Sequence, residues 1–329
     1  MGGDFGPAVT VPASVAAVQQ SSAISLTLIG DQAKIETLLV QSQCVPSERI
    51  RILHTDQLIG MDEKPAVALR KKQDSSTYRA IELVSQKEAD ACVSAGNTGA
   101  LMAIGRHLLQ TFPGVDRPAI VTAFPTLEGR CFVLDLGANA IAQPQHLAQF
   151  AIMANAMAQQ VYKLSSPRIG LLNIGKEATK GNDLVQLADA LIGESEQLNY
   201  VGFVEANDIF EGKIDIAVCD GFVGNVMLKT MESVAAMIDQ LVERQLENEP
   251  LSTEDSAKIA PLLDNVRSQI DPGQYNGASF LGLQGIVVKS HGAADQAGFE
   301  QAIHTAIAEV QAHLPAQIQR QLSVSLPAN

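Results

Sequence analysis

Residues 215–230, DIAVCDGFVGNVMLKT, contain the pattern that decides the fold. The apolar run at 214–219 is rich in β-branched residues and predicts a buried strand, which stops at Asp220 and Gly221. Gly224 and Asn225 then open an apolar-periodic run that predicts a helix with Asn225 as its N-cap. A strand that passes through glycines into a helix leaves backbone N–H groups and a positive dipole end at one place. That place suits an anion.

The same pattern follows three other predicted strands. SAGNTGA occupies residues 94–100, DLGAN residues 135–139 and NIGKEATKGN residues 173–182. The regular alternation of strands and helices predicts an α/β fold with a mostly parallel sheet in α/β/α layers. Because ligands bind outside the carboxyl ends of strands in such sheets, we expect the four strand ends to meet at one site.

Residues 232–270 break this alternation. They are helical in pattern but polar, acidic residues outnumber basic ones, and Pro250 and Pro261 interrupt them. We predict a helical arm that projects from the body. The remainder of residues 1–329 is predicted to form one α/β unit, with two lobes around a cleft as the alternative. An apolar stripe over residues 295–322 predicts one long final helix.

The composition excludes several classes of protein. A net charge of −13 over 329 residues argues against a nucleic-acid partner, and 4% aromatic residues without tryptophan argue against base stacking. The four cysteines form no CxxC pair, and the six histidines show no metal-ligand spacing. We therefore expect buried, reduced cysteines, no metal, no cofactor and a cytoplasmic location. The sequence has neither a secretory-signal pattern nor a long apolar segment that predicts a membrane span.

Familiar catalytic motifs are also missing. There is no GxSxG elbow and no GxGxxG after a strand. Residues 170–177, GLLNIGKE, resemble a P-loop, but Glu177 replaces the hydroxyl residue that would hold Mg²⁺.

The glycine-rich strand ends supply the candidate phosphate-binding residues. Two glycines and three polar side chains at a helix start predict an anion cradle, although a plain helix cap would also explain part of the pattern. The predicted phosphate-binding residues are Ser94, Gly96, Asn97, Thr98, Gly99, Gly221 and Gly224. Three further polar residues at strand ends are predicted to line the substrate cleft: Asp135, Asn139 and Asn173.

Four side chains are candidates for catalysis. Lys180 is predicted to hold a phosphate as a point charge, or else is a solvated surface lysine. Asn225 either donates to a developing oxyanion or only caps its helix. Asp220 orients a donor or caps its own turn, and His291 protonates a leaving group or has a structural role.

A basic cluster stands out in this acidic chain. Arg70, Lys71 and Lys72 are consecutive on a predicted helix. They predict a docking surface for an acidic partner, with an ordinary solvated helix face as the alternative.

Taken in order, these motifs resemble one family, the PlsX phosphate acyltransferases of bacterial phospholipid synthesis. The matching segments are MGGD, LRKKQDSS, ADACVSAGNTGALM, GVDRPAI, DLGAN, RIGLLNIG with KGN, VEANDIFEG, DIAVCDGFVGNVMLKT and GASFLGLQGIVVKSHG. They cover nearly the whole chain and are jointly specific, although no single one would be.

The resemblance implies an activity and partners. Such enzymes transfer a fatty acyl group from acyl carrier protein to inorganic phosphate and give acyl phosphate, without a cofactor. The fold implied is similar to those of phosphotransacetylases and of isocitrate and isopropylmalate dehydrogenases. The resemblance also implies a homodimer at the inner face of the membrane, where a glycerol-3-phosphate acyltransferase uses the product.

The chain departs from the family pattern in places. The family has a strand before MGGD and a histidine after it, where this sequence begins at Met1 and has Phe5. After DLGAN, Ala140, Ile141 and Gln143 replace the usual residues. Three rival functions remain open: an isocitrate-type dehydrogenase, a short-chain acyl-CoA phosphotransacylase, and a non-catalytic scaffold for membrane lipid enzymes.

Overall fold

The apolar runs that predict strands form strands in the computed structural model, which describes residues 1–248 and 252–325. In chain order the strands are β1 (Leu26–Gly30), β2 (Ile50–His54), β3 (Ala91–Ser94), β4 (Ala119–Thr126), β5 (Gly129–Leu134), β6 (Ile169–Leu172), β7 (Tyr200–Val204), β8 (Ile216–Val218), β9 (Ala278–Leu281) and β10 (Ile286–Lys289).

Helices connect most of these strands, and several begin at a proline or at a polar cap. They are α1 (Pro7–Gln20), α2 (Gln32–Gln41), α3 (Pro65–Lys71), α4 (Ser76–Ser85), α5 (Thr98–Leu108), α6 (Pro144–Gln160), α7 (Asp183–Gly193), α8 (Ala206–Phe210), α9 (Gly221–Asn248), α10 (Thr253–Ile270), α11 (Gln296–Gln311) and α12 (Leu314–Ser325), with a 3₁₀ turn at Pro272–Tyr275.

Eight strands form one sheet in the order β3-β10-β9-β4-β5-β8-β6-β7, and β1 and β2 form a small parallel sheet. Neighbours are parallel at β3–β10, β5–β8, β8–β6 and β6–β7, and antiparallel at β10–β9, β9–β4 and β4–β5. The mostly parallel sheet is therefore confirmed. Three antiparallel steps in the middle reverse β3 and β10 relative to β5, β8 and β6. The expectation that all four glycine-rich strand ends lie at one edge of the sheet is thus wrong for β3.

Helices cover both faces of the large sheet, which confirms the three layers. One face packs against α6, α7 and α12, and the other against α3, α4, α5, α8 and the first turns of α9. The small sheet forms its own core with α1 and α2. Helix α1 also packs on α11, which joins this part to the large sheet.

The predicted arm corresponds to α10 and the distal part of α9. Helix α9 has 28 residues and is therefore about 42 Å long. Of these residues, only Gly221 and Gly224 are buried. The two helices are connected by an ion pair of 2.6 Å between Arg267 Nε and Asp239 Oδ1. Helix α10 continues through Pro261, which was expected to interrupt it. Pro250 lies outside the described residues.

Two other expectations need correction. The single final helix is divided into α11 and α12, because His313 adopts a positive φ of 49° between them. Its apolar stripe nevertheless survives the break, since Leu314, Ile318 and Leu322 pack into the core. Helix α1 and strand β9 were not predicted, and both pack closely against other elements.

A buried carboxyl group lies between α11 and the sheet. Glu309 is 3% exposed, and its Oε1 accepts a hydrogen bond from the Ser279 hydroxyl in β9. Burial raises the pKa of Glu309 from 4.5 to about 7, against the smaller opposing effect of the Ser279 hydrogen bond. The folded protein therefore keeps a proton on Glu309 at pH values where the unfolded chain has lost it.

This difference predicts a pH-dependent stability. As pH rises from 4.5 to 7, the free energy of unfolding should fall, because the unfolded chain gains by releasing the proton of Glu309 while the native state keeps it. A tenfold change in proton affinity is worth about 1.4 kcal/mol, so the loss is at most roughly 3 kcal/mol. In Glu309→Gln this part of the pH dependence should vanish, as measured by urea unfolding between pH 5 and 8.

Glu88→Gln, which removes an exposed carboxyl group, is the matched control and should keep the wild-type slope. An unchanged slope in Glu309→Gln would show that the native pKa of Glu309 is not raised.

Candidate active site

The turn after β5 is organised by one buried carboxylate. Asp135 is fully buried and accepts hydrogen bonds from the backbone N–H groups of Ile120 (2.9 Å), Ala138 (3.1 Å) and Asn139 (2.6 Å). Asn139 Nδ2 adds a fourth, at 3.0 Å. Burial raises the pKa of Asp135, and these donors partly offset the effect.

Asp135 and Asn139 were expected in the substrate cleft, and this expectation needs correction. Asn139 is 5% exposed, and its Nδ2 also donates to the carbonyl oxygen of Pro118 at 2.8 Å. Both side chains are therefore committed to the protein interior. They shape the wall on which α9 rests.

Helix α9 begins directly on this turn. The backbone N–H of Gly221 donates to the carbonyl oxygen of Asn139 at 2.9 Å. A Cβ at Gly224 would lie 1.9 Å from the carbonyl oxygen of Asp135, so only glycine allows the helix to approach this closely. These contacts fix the position and direction of the first turn of α9.

Asp220, not Asn225, is the N-cap of α9. Its Oδ1 accepts hydrogen bonds from the backbone N–H groups of Phe222 and Val223, both at 2.9 Å. Its carbonyl oxygen accepts a hydrogen bond from the backbone N–H of Gly224. Every backbone N–H from Gly221 to Gly224 thus already has a protein acceptor. The prediction that these groups bind phosphate or an oxyanion is corrected accordingly, and the two glycines serve close packing instead.

Asn225 is left as the available donor at this end of the helix. Its side chain is exposed and lies over Gly137, whose φ of +120° brings the backbone of the turn beneath it. No hydrogen bond within residues 1–248 and 252–325 occupies its amide group. Asn225 also begins an exposed face of α9, and the other residues of this face are Val226, Lys229, Thr230, Ser233, Val234 and Met237.

The SAGNTG loop after β3 is held by its own side chains. Ser94 Oγ accepts the N–H of Gly96 at 3.1 Å, and Asn97 Oδ1 caps α5 by accepting the N–H of Ala100 at 2.9 Å. Asn97 Nδ2 donates to three carbonyl oxygens in the segment 60–63, at 2.8–3.1 Å. The amide of Asn97 is therefore engaged internally, and the predicted phosphate contact from it needs correction. Thr98 is exposed at the helix start.

The end of β10 lies beside the end of β3, because these two strands are parallel neighbours. His291 follows β10, and its Nε2 lies 4.0 Å from Oε1 of Glu232 on α9. Glu232 also accepts a hydrogen bond of 2.7 Å from Lys229 Nζ. Burial lowers the pKa of His291, partly offset by the charge of Glu232, so its imidazole is neutral at pH 7.

Helix α9 therefore connects two regions that strand direction alone would separate. Lys229 is one helical turn beyond Asn225, roughly 6 Å along the helix axis. Glu232 is nearly one turn further and reaches His291. The oxyanion candidate Asn225 and the ends of β3 and β10 consequently belong to one surface.

The loop after β6 lies on the same edge of the sheet as the start of α9, because β6 and β8 are parallel neighbours. Asn173 Nδ2 donates to the carbonyl oxygen of Lys180 at 3.2 Å, which closes the loop, and Lys176 forms an ion pair of 2.8 Å with buried Asp208. The Lys180 side chain is exposed. Strands β3 and β6 are six positions apart in the sheet, roughly 29 Å at ordinary strand spacing. The structure therefore does not place Lys180 beside Ser94, although both were predicted to hold the same phosphate.

Comparison with known proteins identifies the family of this chain. The family model described as "Fatty acid synthesis protein" matches residues 1–317. A phosphate acyltransferase from Pseudomonas paraeruginosa is 48% identical over 322 residues, which cover 98% of this chain and 96% of that protein. Another from Shewanella woodyi is 46% identical over 331 residues, or 100% of this chain and 97% of that protein. The chain belongs to the PlsX family of phosphate acyltransferases.

Solved structures confirm the fold class. A phosphotransacetylase from Streptococcus pyogenes has a TM-score of 0.61 at 18% identity, covering 93% of this chain and 92% of that one. A 4-hydroxythreonine-4-phosphate dehydrogenase from Klebsiella pneumoniae has a TM-score of 0.51 at 14% identity, covering 94% and 96%. At these identities the likeness concerns the fold alone. The predicted family and its phosphotransacetylase-like and dehydrogenase-like fold are both confirmed.

The helix that carries the basic cluster begins beside the SAGNTG loop. Arg70 and Lys71 form the last turn of α3, and Lys72 is its C-cap. Helix α3 packs on α5, and Pro65 at its start lies so close to Gly99 that a Cβ there would be 2.8 Å away. Gly99 thus has a packing role, while the docking role of the three basic residues stays a prediction.

Sequence reasoning missed three charged residues at this site: Lys229, Glu232 and Lys289. Lys229 follows Asn225 by four residues, a spacing that places two side chains on one helix face and could have identified it. Lys289 ends an apolar strand, where a lysine is unexpected, yet nothing local indicates what surrounds it. Among the described residues, no three His, Cys, Asp or Glu side chains are grouped so that they could hold a metal ion.

Proposed function

We propose that this protein transfers a fatty acyl group from acyl carrier protein to inorganic phosphate and releases acyl phosphate. The observation that supports this best is the position of Asn225. Its free amide lies at the start of the exposed face of α9, one helical turn before Lys229 and about two turns before Glu232, which reaches His291 after β10. A thioester carbonyl and an anion can therefore be held side by side.

The proposed reaction is a direct displacement. A phosphate oxygen attacks the thioester carbonyl carbon, the carbonyl oxygen gains the charge, and collapse of the tetrahedral intermediate breaks the C–S bond. Phosphate is already an anion at neutral pH, so positioning contributes more than deprotonation. Asn225 donates to the oxyanion, and the carrier leaves as a thiolate that takes its proton from solvent, because His291 is neutral at pH 7 and has no proton to give.

The exposed face of α9 suits the acyl chain. Val226, Val234 and Met237 lie along it and are 51%, 43% and 53% exposed, so they form an apolar strip beside Asn225. An acyl chain whose carbonyl group contacts Asn225 would cover them. A short acyl group would leave most of this strip in water, so the strip favours a fatty substrate.

The main test is an assay of carrier release from palmitoyl-acyl carrier protein, with acyl phosphate trapped by hydroxylamine. Release should require inorganic phosphate. In Asn225→Ala we expect kcat to fall by about 10²–10³, with little change in the KM for phosphate, because the lost donor acts only in the transition state.

Asn207→Ala, an exposed asparagine on α8, is the control and should keep wild-type kcat. Release without phosphate would refute the proposed reaction, and an Asn225→Ala effect confined to KM would refute the oxyanion role.

Carrier docking is proposed at the basic cluster on α3. Acyl carrier protein is acidic and this chain has a net charge of −13, so long-range electrostatics oppose their encounter. Arg70 and Lys71 are exposed next to α5 and provide a local positive surface. We expect the double change Lys71→Glu and Lys72→Glu to raise the KM for the carrier at least about tenfold at low salt, with kcat unchanged.

Lys258→Glu on the arm changes charge at a distant exposed site and should have a much smaller effect. Equal KM values for the double variant and the wild type would rule out docking at α3.

A second copy of this chain is proposed to cover the arm. Leu241 is 53% exposed on the distal part of α9, and Leu262 and Val266 of α10 are 66% and 54% exposed. A group of exposed apolar side chains is typical of an interface. Leu241→Asp should shift sedimentation from dimer to monomer, whereas Ala236→Asp, on another face of α9, should not. A wild-type monomer would refute this proposal.

Membrane association stays a prediction from the family resemblance, as does supply of a membrane glycerol-3-phosphate acyltransferase. Among the described helices, none combines the length and apolar character that crossing a bilayer requires.

A further inference from the structure

The ends of β3 and β10 enclose a lysine that none of the roles above uses. Lys289 is the last residue of β10 and pairs in register with Ser94, the last residue of β3. It is 8% exposed, although lysine is among the residues least often buried. A lysine in this position needs an explanation from its surroundings.

The partners of its ammonium group are neutral. Nζ donates to the carbonyl oxygens of Ala95, at 3.3 Å, and of Ser290. Within residues 1–248 and 252–325, no carboxylate oxygen lies within 4.0 Å of it. Asp4 acts on Lys289 only at longer range. An ammonium has three N–H donors, so one remains for another acceptor.

Nearby groups leave the charge uncompensated. Lys229 on α9 lies near enough for its positive charge to act on Lys289. This repulsion and the burial of Lys289 both destabilise the charged form of Lys289. Glu232 is bound to Lys229 and lies near His291, so it does not neutralise Lys289. Burial and Lys229 together lower the pKa of Lys289 to about 8, so the group is mainly protonated at pH 7.

Glycines bring the backbone close around this lysine. Gly3, at φ +76°, packs so tightly that a Cβ would lie 2.9 Å from both Ala95 Cβ and the carbonyl oxygen of Gly292. Asp4 N–H donates to that same carbonyl oxygen at 2.8 Å. Helix α5 begins at Thr98, four residues after Ser94, and the N–H groups that start a helix suit an anion.

Burying a cation without a carboxylate partner costs free energy, and a bound anion offsets that cost by pairing with the charge. We propose that Lys289 is the residue that binds the phosphate, with its spare N–H donating to a phosphate oxygen at the start of α5. This inference rests on the proposed function, and it assigns the phosphate to the ends of β3 and β10. The loop that carries Lys180 follows β6, which is six positions from β3 in the sheet.

The assignment explains the position of Asn225. A phosphate bound by Lys289 lies on the side of α9 that carries Lys229 and Glu232. Lys229, whose charge acts on Lys289, is one helical turn beyond Asn225 on the same face of α9. The phosphate then attacks the carbonyl carbon while Asn225 donates to the carbonyl oxygen.

Lys289→Met tests the proposal, because methionine retains an unbranched apolar stem and removes only the charge. We expect the KM for inorganic phosphate to rise about 10- to 100-fold, the usual result of losing a charge-assisted hydrogen bond. The KM for the acyl carrier substrate should change far less. The thermal stabilisation that inorganic phosphate gives the wild type should disappear.

Lys258→Met, an exposed lysine on the arm, is the matched control and should keep both phosphate responses. A purely structural role for Lys289 would lower the melting temperature without phosphate but leave the phosphate-induced shift and the phosphate KM intact, and that result would overturn the proposal.

If Lys289→Met does not fold, a crystal structure of the wild type with saturating inorganic phosphate decides the question. A phosphate oxygen within hydrogen-bond distance of Lys289 Nζ supports the assignment. Phosphate bound beside Lys180, or anywhere else, refutes it, as does an empty site. Phosphate-dependent turnover with a wild-type phosphate KM in Lys289→Met would refute this inference and leave the proposed function standing. Phosphate binding through Lys289 without any turnover would support this inference and refute the proposed function.

Discussion

The buried carboxylate of Asp135 is the interaction on which the site depends. Desolvation of a carboxylate is expensive, and four N–H donors from the same turn and from β4 offset that cost. In the resulting turn, the Asn139 carbonyl oxygen accepts a hydrogen bond from Gly221 N–H. The backbone of Asp135 packs directly against Gly224. Helix α9 can start only there and in one direction.

That direction matters because the large sheet is not uniformly parallel. In an all-parallel sheet the strand ends themselves would gather the polar loops at one edge. Here β9 and β4 reverse the direction, so β3 and β10 end away from β5, β8 and β6. A long helix that leaves β8 and crosses the sheet toward the end of β10 restores the contact. The functional surface is therefore built along one helix, with strand ends at both sides of it.

The sequence was sufficient for much of this architecture. Regular alternation and apolar runs predict the strands, the layers and the arm, and motif order predicts the family. Strand direction was not predictable, because β9 is only four residues long and lies between glycines. The N-cap of α9 was misplaced for a related reason. Both Asp220 and Asn225 are good capping residues, and the choice depends on Asn139 and Asp135, which are distant in sequence.

Site residues were harder to predict than the fold, because polar side chains at a turn serve either the turn or the substrate. Asn97, Asp135 and Asp220 proved to hold their own loops, and their hydrogen-bond partners show this directly. Lys289 was overlooked for the opposite reason. A lysine within an apolar run suggests a strand end, and its isolation from carboxylates is a property of the folded chain alone.

The contrast between the two lysines at this site explains how an acidic protein can attract anions. Lys229 is more than half exposed and paired with Glu232, so water and a carboxylate screen its charge. Lys289 is buried without such a partner, and in a medium of lower effective dielectric its charge acts more strongly over a few ångströms. At longer range the net charge of −13 repels phosphate. Attraction must therefore come from one local charge that the protein leaves unpaired, and a resident carboxylate next to Lys289 would cancel it.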